Sequence, residues 1–299
     1  MRTQARGLAA AVARTVVEKT LRAHPSWGRV SGARSLAGFE PPWPDLLVTC
    51  GRRSAALSIA LRKASCGGIV TVHVQDPRTT PTAFDLVVAM DHDRIPAGVN
   101  VLKVATALHD LTPENLAKAA DAWRDTLAPL GRPLTGVLIG GTTSRQAFTL
   151  DDGRRLLASQ KRLREEGGAA LAITPSRRTP PAVRGLLLEA FKDDPRVRQW
   201  GLEGENPYRG ILALSDRLVV SSDSVSMISE ALATPHPVEV FDVRSPNHEA
   251  FLDRLVGLGL VRRFQGDPIP SVTTGPVNAT LQAARAVERL LQARTGEVG

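Results

Sequence analysis

Cysteine is nearly absent from this 299-residue sequence: Cys50 and Cys66 are the whole complement. Two thiols so placed give neither a zinc-ligand spacing nor a disulfide framework, and the usage fits a reducing cytoplasm. No run approaches the ~18 consecutive apolar residues of a membrane span. The one leader-like stretch, residues 8–13, is short and is followed by Arg14 and Glu18, so neither a span nor a secretory leader is expected. Tyrosine occurs once and phenylalanine seven times. Without a ribonucleoprotein-type aromatic motif, nucleic-acid binding is not expected. With 42% apolar and 23% charged residues, disordered, collagen-like and coiled-coil readings fail, and the length suits two globular domains.

What the sequence has in excess is arginine. Of 38 basic residues only Lys19, Lys63, Lys103, Lys118, Lys161 and Lys192 are lysine, and against 30 acids the net charge is +8. Guanidinium forks suit phosphate and carboxylate ligands, but an even scatter of arginine is equally what codon bias produces. The excess alone assigns no ligand.

Short β-rich runs at 46–50, 69–74, 86–90 and 99–104 alternate with helical spacing at 3–23 and 54–64. Thr112, Pro113 and Glu114 then supply a cap, a first-turn proline and an acid for a helix toward Leu127. Residues 128–133, with two prolines and a glycine, read as a domain edge. The pattern restarts with strands at 135–139, 169–174, 197–201, 218–221 and 238–241 and helices at 150–166, 180–192 and 224–232. A loop holding Pro268, Pro270 and Pro276 leads to a last amphipathic helix at 277–293. The expected fold is α/β: two Rossmann-like, doubly wound domains, 1–130 and 131–275, facing a cleft, with a C-terminal segment 276–299 crossing back over the junction. Ligands are then expected at the carboxyl ends of the strands.

The Gly140-Gly141-Thr142-Thr143-Ser144 turn follows the first strand of the second half, where glycine and backbone N–H groups could receive a phosphate. It is neither a dinucleotide fingerprint nor a P-loop, and a plain strand-to-helix turn would use the same glycines. The next strand ends at Ser176-Arg177-Arg178-Thr179, whose paired arginines suit a diphosphate; a capped helix start explains Thr179 but not the pair. A third strand end gives Ser222-Asp223-Ser224-Val225-Ser226-Met227, followed in the helix by Glu230. That carboxylate could accept both hydroxyls of a ribose, or the stretch could be a helix cap with a surface Glu. In the first half, Gly51-Arg52-Arg53-Ser54, Gln75-Asp76-Pro77-Arg78 and Asp91-His92-Asp93 end successive strands. The last of these could hold a metal or a general base, or serve a structural or positioning role; too few further ligands are in view, and no metal site is assigned.

These motifs, together with Glu205-Asn206-Pro207-Tyr208, resemble in this order the ELM-type mitochondrial fission family of plants and bacteria, over nearly the whole chain. The resemblance implies a fold similar to GT-B glycosyltransferases, in which the second domain binds a nucleotide-sugar donor. Carried over by position, Gly140 to Ser144 and Arg177 would meet the diphosphate and Glu230 the ribose. Ser176, Arg178, Ser222, Asp223, Ser224, Ser226 and Met227 complete the candidate site. Relatives begin with a strand and a glycine turn ahead of the stretch matching residues 3–8, so the first strand of the first sheet is expected to be missing.

The function expected is a nucleotide-sugar-binding protein, a metal-independent glycosyltransferase or its descendant, with His92 or Asp76 as base toward an unknown acceptor. The nucleoside-diphosphate sugar is donor substrate, with no cofactor. A cytoplasmic location is expected, peripheral to the inner face of a membrane. The alternative is a non-enzymatic adaptor that recruits a protein partner. An NAD-type nucleotide-sugar epimerase is disfavoured by the missing dinucleotide fingerprint.

Overall fold

The computed structural model of the chain describes residues 2–13, 15–20, 38–144, 146–243, 248–266 and 276–296. It divides into two compact units, Met1–Asp110 with Asn278–Gly299, and Leu111–Val277. The elements of the first, in order, are α1 (Arg2–Val12), β1 (Leu46–Cys50), α2 (Arg52–Ala64), β2 (Val70–Val74), β3 (Leu86–Met90) and β4 (Val101–Val104). The second contributes α3 (Pro113–Leu127), β5 (Leu134–Ile139), α4 (Leu150–Glu165), β6 (Ala170–Pro175), α5 (Pro181–Phe191), β7 (Val197–Gln199) and α6 (Tyr208–Leu214). After these come β8 (Arg217–Ser221), α7 (Val225–Leu232), β9 (Val238–Phe241), α8 (Glu249–Gly257) and β10 (Arg262–Arg263). The last helix, α9 (Ala279–Thr295), returns to the first unit.

Unit 1 is a parallel sheet in the order β1-β2-β3-β4. Its strands alternate between two buried faces, as covered parallel strands must. Val70, Val72 and Val74 of β2 pack with Leu8 of α1 and with Ala283, Ala284 and Val287 of α9. Thr71 and His73 point to the opposite face, where the His73 ring lies 5.0 Å from that of Phe84. A reciprocal pair of 2.9 Å hydrogen bonds joins Thr280 of α9 to the His109 backbone.

Unit 2 is a six-stranded parallel sheet, β10-β9-β8-β5-β6-β7. One face (Leu134, Leu138, Leu218, Val220) meets α3, α6 and α7, and the other (Val137, Ile139, Leu171, Ile173) meets α4 and α5. Thr112 closes α3 with a capping box, accepting from Asn115 N–H at 3.2 Å while Asn115 Oδ1 accepts from Thr112 N–H at 3.0 Å. Glycine at 210 lets α6 lie against α3, because a Cβ there would collide with the Trp123 ring.

Three sequence expectations change. The division falls between Asp110 and Leu111 and not at 128–133, because Leu116, Trp123 and Leu127 bury α3 in the core of unit 2; Ala128–Leu130 is a short 3-10 turn feeding β5. The first helix stops at Val12, and residues 15–20 are irregular, the run Thr15-Val16-Val17 being β-branched and a poor helix former. Its expected continuation at 21–23, like Pro268 and Pro270, lies outside the described residues. The elements α6, α8 and β10 were not expected at all.

His73 is fully buried, with the Thr49 hydroxyl 2.9 Å from its Nδ1 and no partner at Nε2. Burial holds its pKa down to about 4, and that of His109 also to about 4. The folded state therefore refuses protons that the unfolded chain accepts below about pH 6.5. Stability should fall by about 2 kcal/mol per histidine between pH 7.5 and 5. Urea midpoints at the two pH values check this, and His73→Gln should remove about half of the difference.

Candidate functional site

The carboxyl ends of β5, β6 and β8, neighbours in the sheet, converge on one peptide group, that between Gly140 and Gly141. Its carbonyl accepts from Ser176 Oγ at 2.6 Å and from the Thr179 hydroxyl, both in the loop after β6. Its N–H donates to Asp223 Oδ2 at 2.6 Å, just beyond β8. Ser221 Oγ donates to the other carboxylate oxygen at 2.6 Å and receives Gly140 N–H at 2.8 Å. Glycine is required on both sides of this peptide, since a Cβ at Gly140 would collide with the Asp223 carboxylate and one at Gly141 with the Arg178 backbone. Burial raises the Asp223 pKa, and the Ser221 hydroxyl and Gly141 amide oppose that rise.

This geometry changes what the turn can offer. Gly140 and Gly141 N–H donate to Ser221 and Asp223, Thr142 N–H donates to the Arg178 carbonyl at 3.0 Å and Thr143 N–H to the Gln146 carbonyl at 2.8 Å. Four successive amides are committed within the protein, so an anion must be met by other groups. Thr142 Oγ1 likewise accepts from Phe148 N–H at 3.1 Å.

Those other groups surround a cavity of about 290 Å³, lined by Thr143, Gln146, Arg178, Asp223, Ser224, Val225, Ser226 and His248. Ser224 is the N-cap of α7, its hydroxyl accepting from Met227 N–H at 3.4 Å, so the positive end of that helix dipole borders the cavity. Both adjacent arginines are exposed, but only Arg178 is among the lining residues, its charge acting on Asp223, while Arg177 lies outside the lining. Gln146 and His248, which carry no sequence motif, line the cavity, and each has a buried atom without a hydrogen-bond partner, Oε1 and Nδ1 respectively.

The remaining expected residues lie outside the cavity lining. Ser222 Oγ receives Val243 N–H at 2.9 Å, tying β8 to the end of β9, and Met227 packs against the core. Ser144 lies in the turn without lining the cavity. Glu230, further along α7, accepts from the Tyr208 hydroxyl of α6, and burial followed by the Glu230 charge holds the phenol pKa well above its usual value. In unit 1, Asp76 accepts from Arg78 N–H at 2.8 Å and pairs with its guanidinium at 3.2 Å, in a loop where Gln75 and Arg78 have positive φ of 76° and 56°. His92 is half-buried after β3, and Asp93 Oδ2 closes the same loop on Met90 N–H at 2.9 Å.

Gly141→Ala should destabilise unit 2 by about 1–3 kcal/mol, the scale of an overpacked interior site. Chemical denaturation checks it, and the same substitution at Gly168, where a Cβ meets nothing within 4 Å, serves as a comparison at an open positive-φ site.

The family described as "Mitochondrial fission ELM1" matches residues 1–291. "Mitochondrial fission protein ELM1" of Arabidopsis thaliana is 32% identical over 282 residues, covering 86% of this chain and 66% of the plant protein, so the chain spans about two thirds of that relative. Among solved structures, a putative UDP-N-acetylglucosamine 2-epimerase from Listeria monocytogenes aligns with TM-score 0.60 at 11% identity, over 89% of this chain and 78% of its own. The UDP-GlcNAc 2-epimerase of Methanocaldococcus jannaschii aligns with TM-score 0.57 at 15% identity, over 84% and 77%. The fold is GT-B-like, with parallel α/β sheets and a C-terminal helix.

Proposed function

The chain belongs to the mitochondrial fission ELM1 family, and from that premise we propose that unit 2 binds the nucleoside diphosphate of a nucleotide sugar and that the protein is a glycosyltransferase or the descendant of one. The observation that carries the reading is the cavity in which Arg178 and the N-terminus of α7 meet at three parallel strand ends. Both supply positive potential where a departing diphosphate develops charge. Glu230, held by Tyr208, is the group for the ribose hydroxyls. His92 and Asp76, at the strand ends of unit 1, are the candidates for a base acting on the acceptor hydroxyl. The names of the solved neighbours make a UDP-sugar the first donor to try.

A second reading is an adaptor that keeps the fold and works through its surface. The plant relative's name supports it, as does the internal use of the turn amides. Among the described residues no helix is long and apolar enough to cross a membrane; peripheral attachment to the inner face of a membrane remains part of the glycosyltransferase reading.

Calorimetric titration of the full chain with UDP separates the two. Binding is expected, and Arg178→Ala should weaken it by about 1.5–3 kcal/mol, roughly tenfold to more than a hundredfold. Arg177→Ala should change it little. No binding at millimolar UDP would remove the donor site and leave the adaptor.

A further inference from the structure

A bare anion makes a poor ligand for the unit 2 cavity. Arg178 and the first turn of α7 favour negative charge, but Asp223, whose carboxylate is buried, lines the same space and opposes it. Gln146, only 7% exposed, adds a second acceptor. Its Nε2 donates to the Val243 carbonyl at 3.3 Å. Since a carbonyl only accepts, this bond fixes which way the amide points, and Oε1 is left buried without a partner. The backbone holds the residue in place through Thr143 N–H on the Gln146 carbonyl. His248 Nδ1 is also buried and unpartnered, but a ring nitrogen can donate or accept according to tautomer. The Gln146 oxygen can only accept.

An orphaned buried acceptor is unfavourable until a ligand brings it an O–H or N–H. Building on the nucleotide-sugar reading, we propose that Gln146 Oε1 accepts a hydrogen bond from a hydroxyl of the glycosyl group, so that the cavity selects a glycosyl diphosphate over a bare diphosphate end. The ribose is not that donor, because its partner in this reading is Glu230, which lies further along α7 and outside the lining. A glycosyl phosphate reconciles the site's two characters: its phosphates meet Arg178 and α7, and its hydroxyls meet Gln146 and Asp223.

Calorimetry of the full chain with UDP, UDP-glucose, UDP-galactose and UDP-GlcNAc tests this. At least one sugar nucleotide should bind about fivefold more tightly than UDP. Gln146→Met, of similar size without the acceptor, should weaken that ligand by about tenfold and change UDP by less than about twofold. If UDP binds and no sugar nucleotide binds more tightly, or if the variant loses both equally, the role of Gln146 is overturned while the nucleotide site stands. If neither UDP nor any sugar nucleotide binds, the nucleotide-site reading fails and the inference with it. The wild-type comparison holds whether or not the variant folds.

Discussion

A single peptide group, the one joining Gly140 to Gly141, is the point on which the candidate site depends. Its oxygen is held by hydroxyls from the β6 loop and its N–H by a carboxylate from the β8 loop. Neither loop can shift without releasing a buried polar group, which is unfavourable. The same clamp explains why Asp223 can be buried at 3% exposure: it receives an amide and a hydroxyl at 2.6 Å each. The loops so fixed also carry Arg178 and Ser224, two of the residues that line the cavity.

Much of this frame was legible in the sequence. The apolar runs of β1, β3 and β9 begin and end where alternation and turn residues place them, and Thr112 caps α3 as its neighbours indicate. The failures have physical reasons. Helix α6 is seven residues long with Gly210 inside it, too short and too weak in propensity to read without its partner Trp123. The Gly140-Gly141 turn was legible as a place of close approach. What approaches is a carboxylate of the same chain, and that required knowing that β8 lies beside β5. Sequence could not choose between adjacent arginines either, since which of Arg177 and Arg178 faces the cavity is set by the loop's path. Gln146 gave no signal, because its meaning lies in one unsatisfied atom.

The arginine excess, ambiguous as composition, is largely structural where it can be followed. Arg62 and Arg294 converge on Asp85, Arg164 grips Asp194 through two nitrogens, and Arg196 reaches the carbonyls of Leu130 and Arg132. Arg217 and Arg262 enclose Glu239, itself fully buried on β9. Lysine, a single point donor, could not bring two coplanar N–H groups to a carboxylate, as Arg164 does to both oxygens of Asp194 and as Arg217 and Arg262 do to one oxygen each of Glu239. Most of these forks tie loops and strand ends. Arg178 differs in facing a cavity.

The return of α9 to unit 1 has a consequence for synthesis. Residues 111–277 contain every strand of their own sheet and can close it as soon as they emerge from the ribosome. The earlier-encoded unit cannot, because Ala279, Ala283, Ala284 and Val287 cover the face of the sheet formed by Val72, Val74 and Val88. Domains made first usually fold first. Here the order inverts, and the nascent first sheet waits with an open apolar face while residues 105–278 are made, the interval in which a chaperone would find it.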